Sequence, residues 1–207
     1  MDMEENIKNL MTVLDKVLYP IYPEQTQKLV ESPVMAEFLN APASYRADYV
    51  LCSQGGLLEL SLQRCNNLKT MLYNFRPSRD PLKDMYNFSM KTIVLCGLFY
   101  ELGKVGDYEQ ATGELKKYYK QSKSHDGYDV NNNIVDVPTQ VRSVSILNGF
   151  GFNLSLIEQK AMLLGVYDKN VFFSNDKSSS GVLGITIAMA HRLAICQCSD
   201  VRGKVGI

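Results

Sequence analysis

Apolar residues recur at helical spacing in "NIKNLMTVLDKVLYPI" (6–21), "PVMAEFLNAP" (33–42), "GGLLELSLQRCNNLKTMLYNF" (55–75) and "MYNFSMKTIVLCGLFYELGK" (85–104), which predicts four helices in the first half of the chain. Pro20, Pro23, Pro42, Pro77 and Pro81 fall between these segments or at their ends, where a ring that removes a backbone donor does least harm. The fourth segment reads as a buried helix that stops at Gly103, with the glycine expected as a C-cap at positive φ.

After Gly103 the pattern breaks. Residues 105–137 are polar and rich in Tyr and Asn, with little sustained period beyond "ELKKYYKQ", so a long surface excursion is expected there, with room for a pair of short strands around Tyr128 and Val137. Helical spacing resumes in "TQVRSVSILNGF" (139–150), "SLIEQKAMLLGVY" (155–167) and "GVLGITIAMAHRLAICQ" (181–197). Ser155 and Glu158 stand at capping-box spacing at the start of the second of these. "SNDKSSSG" before the last reads as a turn-forming loop. The result is an all-α fold class, one domain over 1–207, with N-terminal helices in 1–39 and the excursion lying between the two helical halves.

Composition narrows the functional classes. With 45% hydrophobic and 21% charged residues in 207, the chain resembles ordinary globular proteins, and a formal net charge of zero gives no electrostatic footprint for duplex nucleic acid or a membrane surface. The acidic start "MDMEENIKNL" lacks the basic and apolar regions of a signal peptide, and "GVLGITIAMA" is cut by His191 and Arg192 short of the ~20 residues of a spanning helix, so a cytoplasmic protein without a membrane segment is expected. Cys52, Cys65, Cys96, Cys196 and Cys198 are odd in number, lie in apolar patterns and form no CxxC, which suits reduced core thiols rather than a zinc site. No GxSxG, P-loop or dinucleotide fingerprint is present.

Three stretches carry a family resemblance: "YRADYVLCSQGGLLELSLQ", "GLFYELGKVG", and "VRSVSILNGFGFNLSLIEQKAMLLGVYD" followed by "ITIAMAHRLAIC". In order and spacing they resemble the HD-domain phosphohydrolases, in particular the exoribonuclease-linked and phage branch. The resemblance implies an HD-like helical bundle over roughly 40–197. It also implies metal-ligand positions, and there this chain departs: Leu60 stands where a His is expected, Tyr100 and Glu101 replace the His-Asp pair, no His lies near Leu164 and Gly165, and the last Asp position falls near Ala194. Leu and Ala donate nothing to an ion, and a hydrolytic site needs several converging imidazole and carboxylate donors. The chain has two histidines, and the literal His125-Asp126 in "SHDGYD" reads as a surface turn.

The departures therefore lead us to expect no metal, no cofactor and no catalytic residue, but a kept frame. Lys104 and Arg142 are candidates to pair with a phosphate at the rim of the former site, the plainer readings being a solvated charge and a structural donor. Tyr100, Tyr128, Ser143, Arg46 and His191 complete the candidate ligand-binding set, tyrosine offering a flat face to a base and a hydroxyl to a ribose or phosphate. Three functions are open. The first is an HD-derived protein that sequesters a nucleotide or cyclic (oligo)nucleotide without cleaving it, in a phage setting an anti-defence sponge. The second is a rearranged phosphohydrolase using Glu101, Asp168 or His191. The third is an interaction or regulatory module, with homo-oligomerisation open in each case.

Overall fold

The computed structural model describes residues 2–44, 51–74, 87–110, 128–131, 137–167 and 179–202. The described residues are mostly helical: α1 (Met3–Val13), α2 (Pro23–Val30), α3 (Pro33–Asn40), α4 (Gly56–Asn74), α5 (Met90–Ile93), α6 (Thr139–Gly149), α7 (Leu156–Tyr167) and α8 (Ser179–Arg202). Two of them change pitch before they end. α1 runs into a π-helical turn over Leu14–Leu18, and α5 into another over Val94–Leu98.

The helix starts are written in local chemistry. Ser32 precedes Pro33 at N1 and its hydroxyl accepts from the Met35 amide at 3.2 Å. Ser89 accepts from the Thr92 amide in the same way at the start of α5. At α7 the expected capping box is present in both directions: the Glu158 amide donates to Ser155 Oγ at 3.2 Å, and the Ser155 amide donates to Glu158 Oε2 at 2.8 Å. Glu158 also accepts from the Thr92 hydroxyl at 2.8 Å and pairs with Lys91 at 3.0 Å, so the cap of α7 ties down the start of α5. α2 has no counterpart in the hydrophobic pattern, because "PEQTQKLV" buries only Thr26 and Leu29; Pro23 at N1 is its main signal.

α4 is the central helix. It packs on α8, on the π turn after α5, and on α1 and α3, while α8 also lies along α7. Leu10, Leu14 and Leu18 of α1 and its π turn, Leu57, Leu58 and Leu68 of α4, Phe38 and Phe99 fill the core without exposure. The α5 segment crosses α4 closely at Gly97, where a Cβ would sit 3.0 Å from Leu68 Cδ2 and 3.2 Å from Cys65 Cα. α8 is longer than the pattern predicts, and its Gly181–Cys198 stretch is long and apolar enough by composition to cross a membrane; here Leu183, Ile187, Ala190 and Ala194 are buried inside the fold.

Three expectations are corrected. The helix before Gly103 ends at Leu98, and Gly103 sits in a 3-10 turn, Leu102–Lys104, without positive φ. Its need for glycine is space: a Cβ would lie 2.2 Å from the Thr139 carbonyl oxygen and 2.8 Å from Arg142 Cβ, so the turn presses directly on the first turn of α6. The excursion does hold a hairpin, but its strands are β1 (Tyr108–Gln110) and β2 (Tyr128–Val130), antiparallel with Tyr108 opposite Val130, and Val137 is not part of it. "ELKKYYKQ" and His125-Asp126 lie outside the described residues. Cys52, Cys65, Cys96 and Cys198 are buried and reduced, as expected, and Cys196 is exposed.

Candidate functional site: a buried ion cluster

The end of α5, the middle of α4 and the middle of α8 meet around one guanidinium. Arg64 is fully buried, and its five N–H donors have five acceptors. Nε donates to the Gly97 carbonyl at 2.7 Å, and Nη2 to Ser61 Oγ at 3.0 Å and the Leu98 carbonyl at 3.4 Å. Nη1 donates to Glu101 Oε2 at 2.6 Å and lies 3.2 Å from His191 Nδ1. Gly97 and Leu98 close the π turn, so the guanidinium caps the carbonyl end of that segment as well as pairing with a carboxylate. Its flat face lies over the Tyr100 ring, 5.2 Å from the centroid.

Glu101 is shared. Its other oxygen, Oε1, is 2.6 Å from Lys104 Nζ, which also donates to the Ala43 carbonyl at 2.9 Å. Burial pushes the Glu101 carboxyl up, but the Lys104 ammonium and the Arg64 guanidinium outweigh it and hold it well below the usual carboxylate range. Burial opposes the Lys104 charge, and the Glu101 partner outweighs that, so Lys104 is held charged above its ordinary value. His191, 3.7 Å from Glu101 Oε2, behaves oppositely: burial drives it down to about 4, Glu101 only partly offsets this, and the cations Arg64, Lys104 and Arg192 add to the drop. At neutral pH the ring is uncharged. An Nδ1 that accepts from Arg64 places its proton on Nε2. Tyr100 is pushed up to about 12 by burial and stays a phenol.

Of the predicted site residues, Tyr100, Lys104 and His191 come together in this cluster. Lys104 is not a solvated charge: its side chain is 18% exposed and engaged internally. Arg142 and Ser143 serve a neighbouring joint. Arg142 pairs with Asp107 at 2.6 Å, and Ser143 Oγ accepts from the Gly103 amide at 2.8 Å while lying 3.0 Å from the Tyr100 and Thr139 carbonyls. Tyr128 is buried on the hairpin. Arg46 lies outside the described residues, as do Tyr45, Tyr49, Tyr118, Tyr119 and Asp168.

Arg64 itself is absent from the sequence-based set. The signal was there: Leu57, Leu60, Ser61, Arg64 and Leu68 recur at helical spacing, which puts an arginine on a buried stripe. Leu60 and Ala194, at two positions where the resemblance implies ligands, pack together with Ala43, Leu51 and Cys198 in a small apolar cluster. Both Glu101 oxygens are taken by cations. The donor set at this junction therefore does not fit a metal ion.

The described residues define a mostly helical fold with one two-stranded sheet, organised around a buried arginine–glutamate–lysine cluster. Compared with family models, curated proteins and solved structures, the chain matches none.

Proposed function

We propose that the chain is a non-catalytic, HD-derived binding protein that holds a phosphate-bearing ligand, a nucleotide or cyclic (oligo)nucleotide, without cleaving it. The observation that carries this reading is the charge balance of the cluster. Two permanent cations, Arg64 and Lys104, meet one carboxylate, Glu101, beside a neutral His191, which leaves one positive charge in excess. Lys104 and His191 are the two members with partial exposure, at 18% and 23%, so the excess charge meets solvent there. A fixed, desolvated cation next to a phenol and an imidazole suits a phosphate oxygen, and nothing in the arrangement activates water. Arg142, neutralised by Asp107, is not part of this ligand set.

The experiment is a binding panel of mononucleotides and cyclic di- and trinucleotides against purified protein, followed by denaturation and chromatography of the released ligand. Intact ligand recovered at one per chain supports the reading; cleaved product, or no binding across the panel, overturns it. Lys104→Ala abolishes binding, and Arg142→Ala does not.

A second reading, an interaction module, is favoured by a separate observation: Leu60 and Tyr100 are buried and the cluster is internally complete. It predicts that Lys104→Ala leaves the biological activity intact while the fold persists.

A further inference from the structure

On the opposite face of α4 from Arg64, a groove of about 480 Å3 opens between α1, α4 and α5. Its floor is apolar, made by Val13, Val17, Leu62, Val94 and Leu98, of which Val94 and Leu98 are fully buried. Its rim is polar, and among the described residues the charged side chains lining it are Lys16 and Lys69, both exposed, with no acidic one. The volume falls in the ~300–1,000 Å3 class of small-molecule sites, and an apolar body with a few polar groups at the mouth is their usual construction.

The walls are unusual in a second respect. Lys16 and Val17 belong to the π turn after α1, and Val94 and Leu98 to the π turn after α5. In the first, the Tyr19 amide reaches back five residues to the Leu14 carbonyl at 3.0 Å. A π turn inserts one residue into a helix, shifts the face that follows, and occurs often at functional sites. Both π turns among the described residues open onto the same groove.

We propose that this groove binds an amphipathic anion: an apolar chain or ring system lying on Val17, Leu62, Val94 and Leu98, with a carboxylate at the Lys16–Lys69 rim. Burial of Cys65 in the floor pushes its thiol up to about 11, so it is no nucleophile at neutral pH, and the site holds its ligand without reacting with it. The site is separate from the Arg64 cluster and independent of the function proposed for it.

Isothermal titration and amide chemical-shift mapping with decanoate below its micellar concentration test the proposal, with decylammonium as the charge-reversed control. Decanoate binds at one per chain, with shifts confined to α1, α4 and the α5 segment; decylammonium binds at least about tenfold more weakly. K16E/K69E loses about tenfold or more in decanoate affinity, as expected when two exposed attractions become repulsions. Asn66→Trp, at an exposed lining position on α4, blocks the groove with both lysines kept. Lys104→Ala leaves decanoate binding unchanged. Equal binding of both amphiphiles, no saturable binding, or indifference to both K16E/K69E and Asn66→Trp overturns it.

Discussion

His191 titrates far from where an ordinary histidine does, and stability follows. Its ring is held near pKa 4 in the fold against 6.5 for an unperturbed side chain. A base whose folded pKa is depressed takes up its proton more readily when unfolded, so its contribution is complete above pH 6.5 and is lost as pH falls toward 4. The full drop corresponds, at about 1.4 kcal/mol per unit, to about 3 kcal/mol. At pH 5 the unfolded ring is largely protonated and the folded one is not, which by the same linkage costs about 2 kcal/mol relative to pH 8. The Glu101 carboxyl also destabilises the fold in acid, but an unfolded carboxyl of 4.5 is mostly ionised at pH 5, so that pH isolates the imidazole. Urea unfolding at pH 8 and pH 5, in the unmodified chain and in His191→Gln, measures the step. The variant keeps a side-chain acceptor for Arg64 but cannot titrate, and with slopes of about 1–3 kcal/mol per M the unmodified chain loses about 1 M more of midpoint than the variant. With only one other histidine, His125, NMR titration of the two ring signals is readable directly. A His191 signal titrating near 6.5, or equal midpoint losses in both proteins, refutes the depressed titration of the buried ring and the acid destabilisation drawn from it.

Arg64→Met removes the central guanidinium and leaves the Gly97 and Leu98 carbonyls and one Glu101 oxygen without that donor; breaking a buried pair in this way costs about 3–5 kcal/mol, read as a urea midpoint, and a loss under 1 kcal/mol contradicts the capping role. Gly103→Ala forces a Cβ against the Thr139 carbonyl and costs about 1–3 kcal/mol or more from overpacking, whereas Gly149→Ala, with open space around its Cβ, does not destabilise the fold by steric clash; paired thermal melts compare them.

Periodicity was a good guide where one face of a helix is apolar and the rest is not. α3, α4, α6 and α7 lie in segments that the spacing of Leu, Met, Ile and Phe marks out, α1 and α8 overlap theirs and run past them, and the Ser155–Glu158 pair marks the start of α7. α2 escaped because its stabilising contacts come from few buried positions. The sequence reading carries the α5 segment on to Gly103 because an apolar run does not report pitch: the π turn over Val94–Leu98 contains Gly97, which crosses closely over Cys65 and Leu68, a contact that only the tertiary structure contains. Gly103 shows the same limit, since a glycine required for a neighbour's approach looks in sequence like one required for its own φ. At the junction, Tyr100, Glu101, Lys104 and His191, each singled out in the sequence, come together. Arg64 carries a weaker signal, its place on the buried stripe of α4 with Leu57, Leu60, Ser61 and Leu68, and its meaning emerges only with the buried carboxylate opposite it.

Arg64 draws its acceptors from three places in the chain, and the farthest, His191, is 127 residues away. As the polypeptide is made from its N-terminus, α4 and the end of α5 emerge long before α8 exists, and over that interval the guanidinium has no imidazole to face. The junction can close only when the last helix docks. Contacts of such long sequence separation slow folding. Docking of α8 on α4 is the step that supplies the last acceptor to Arg64.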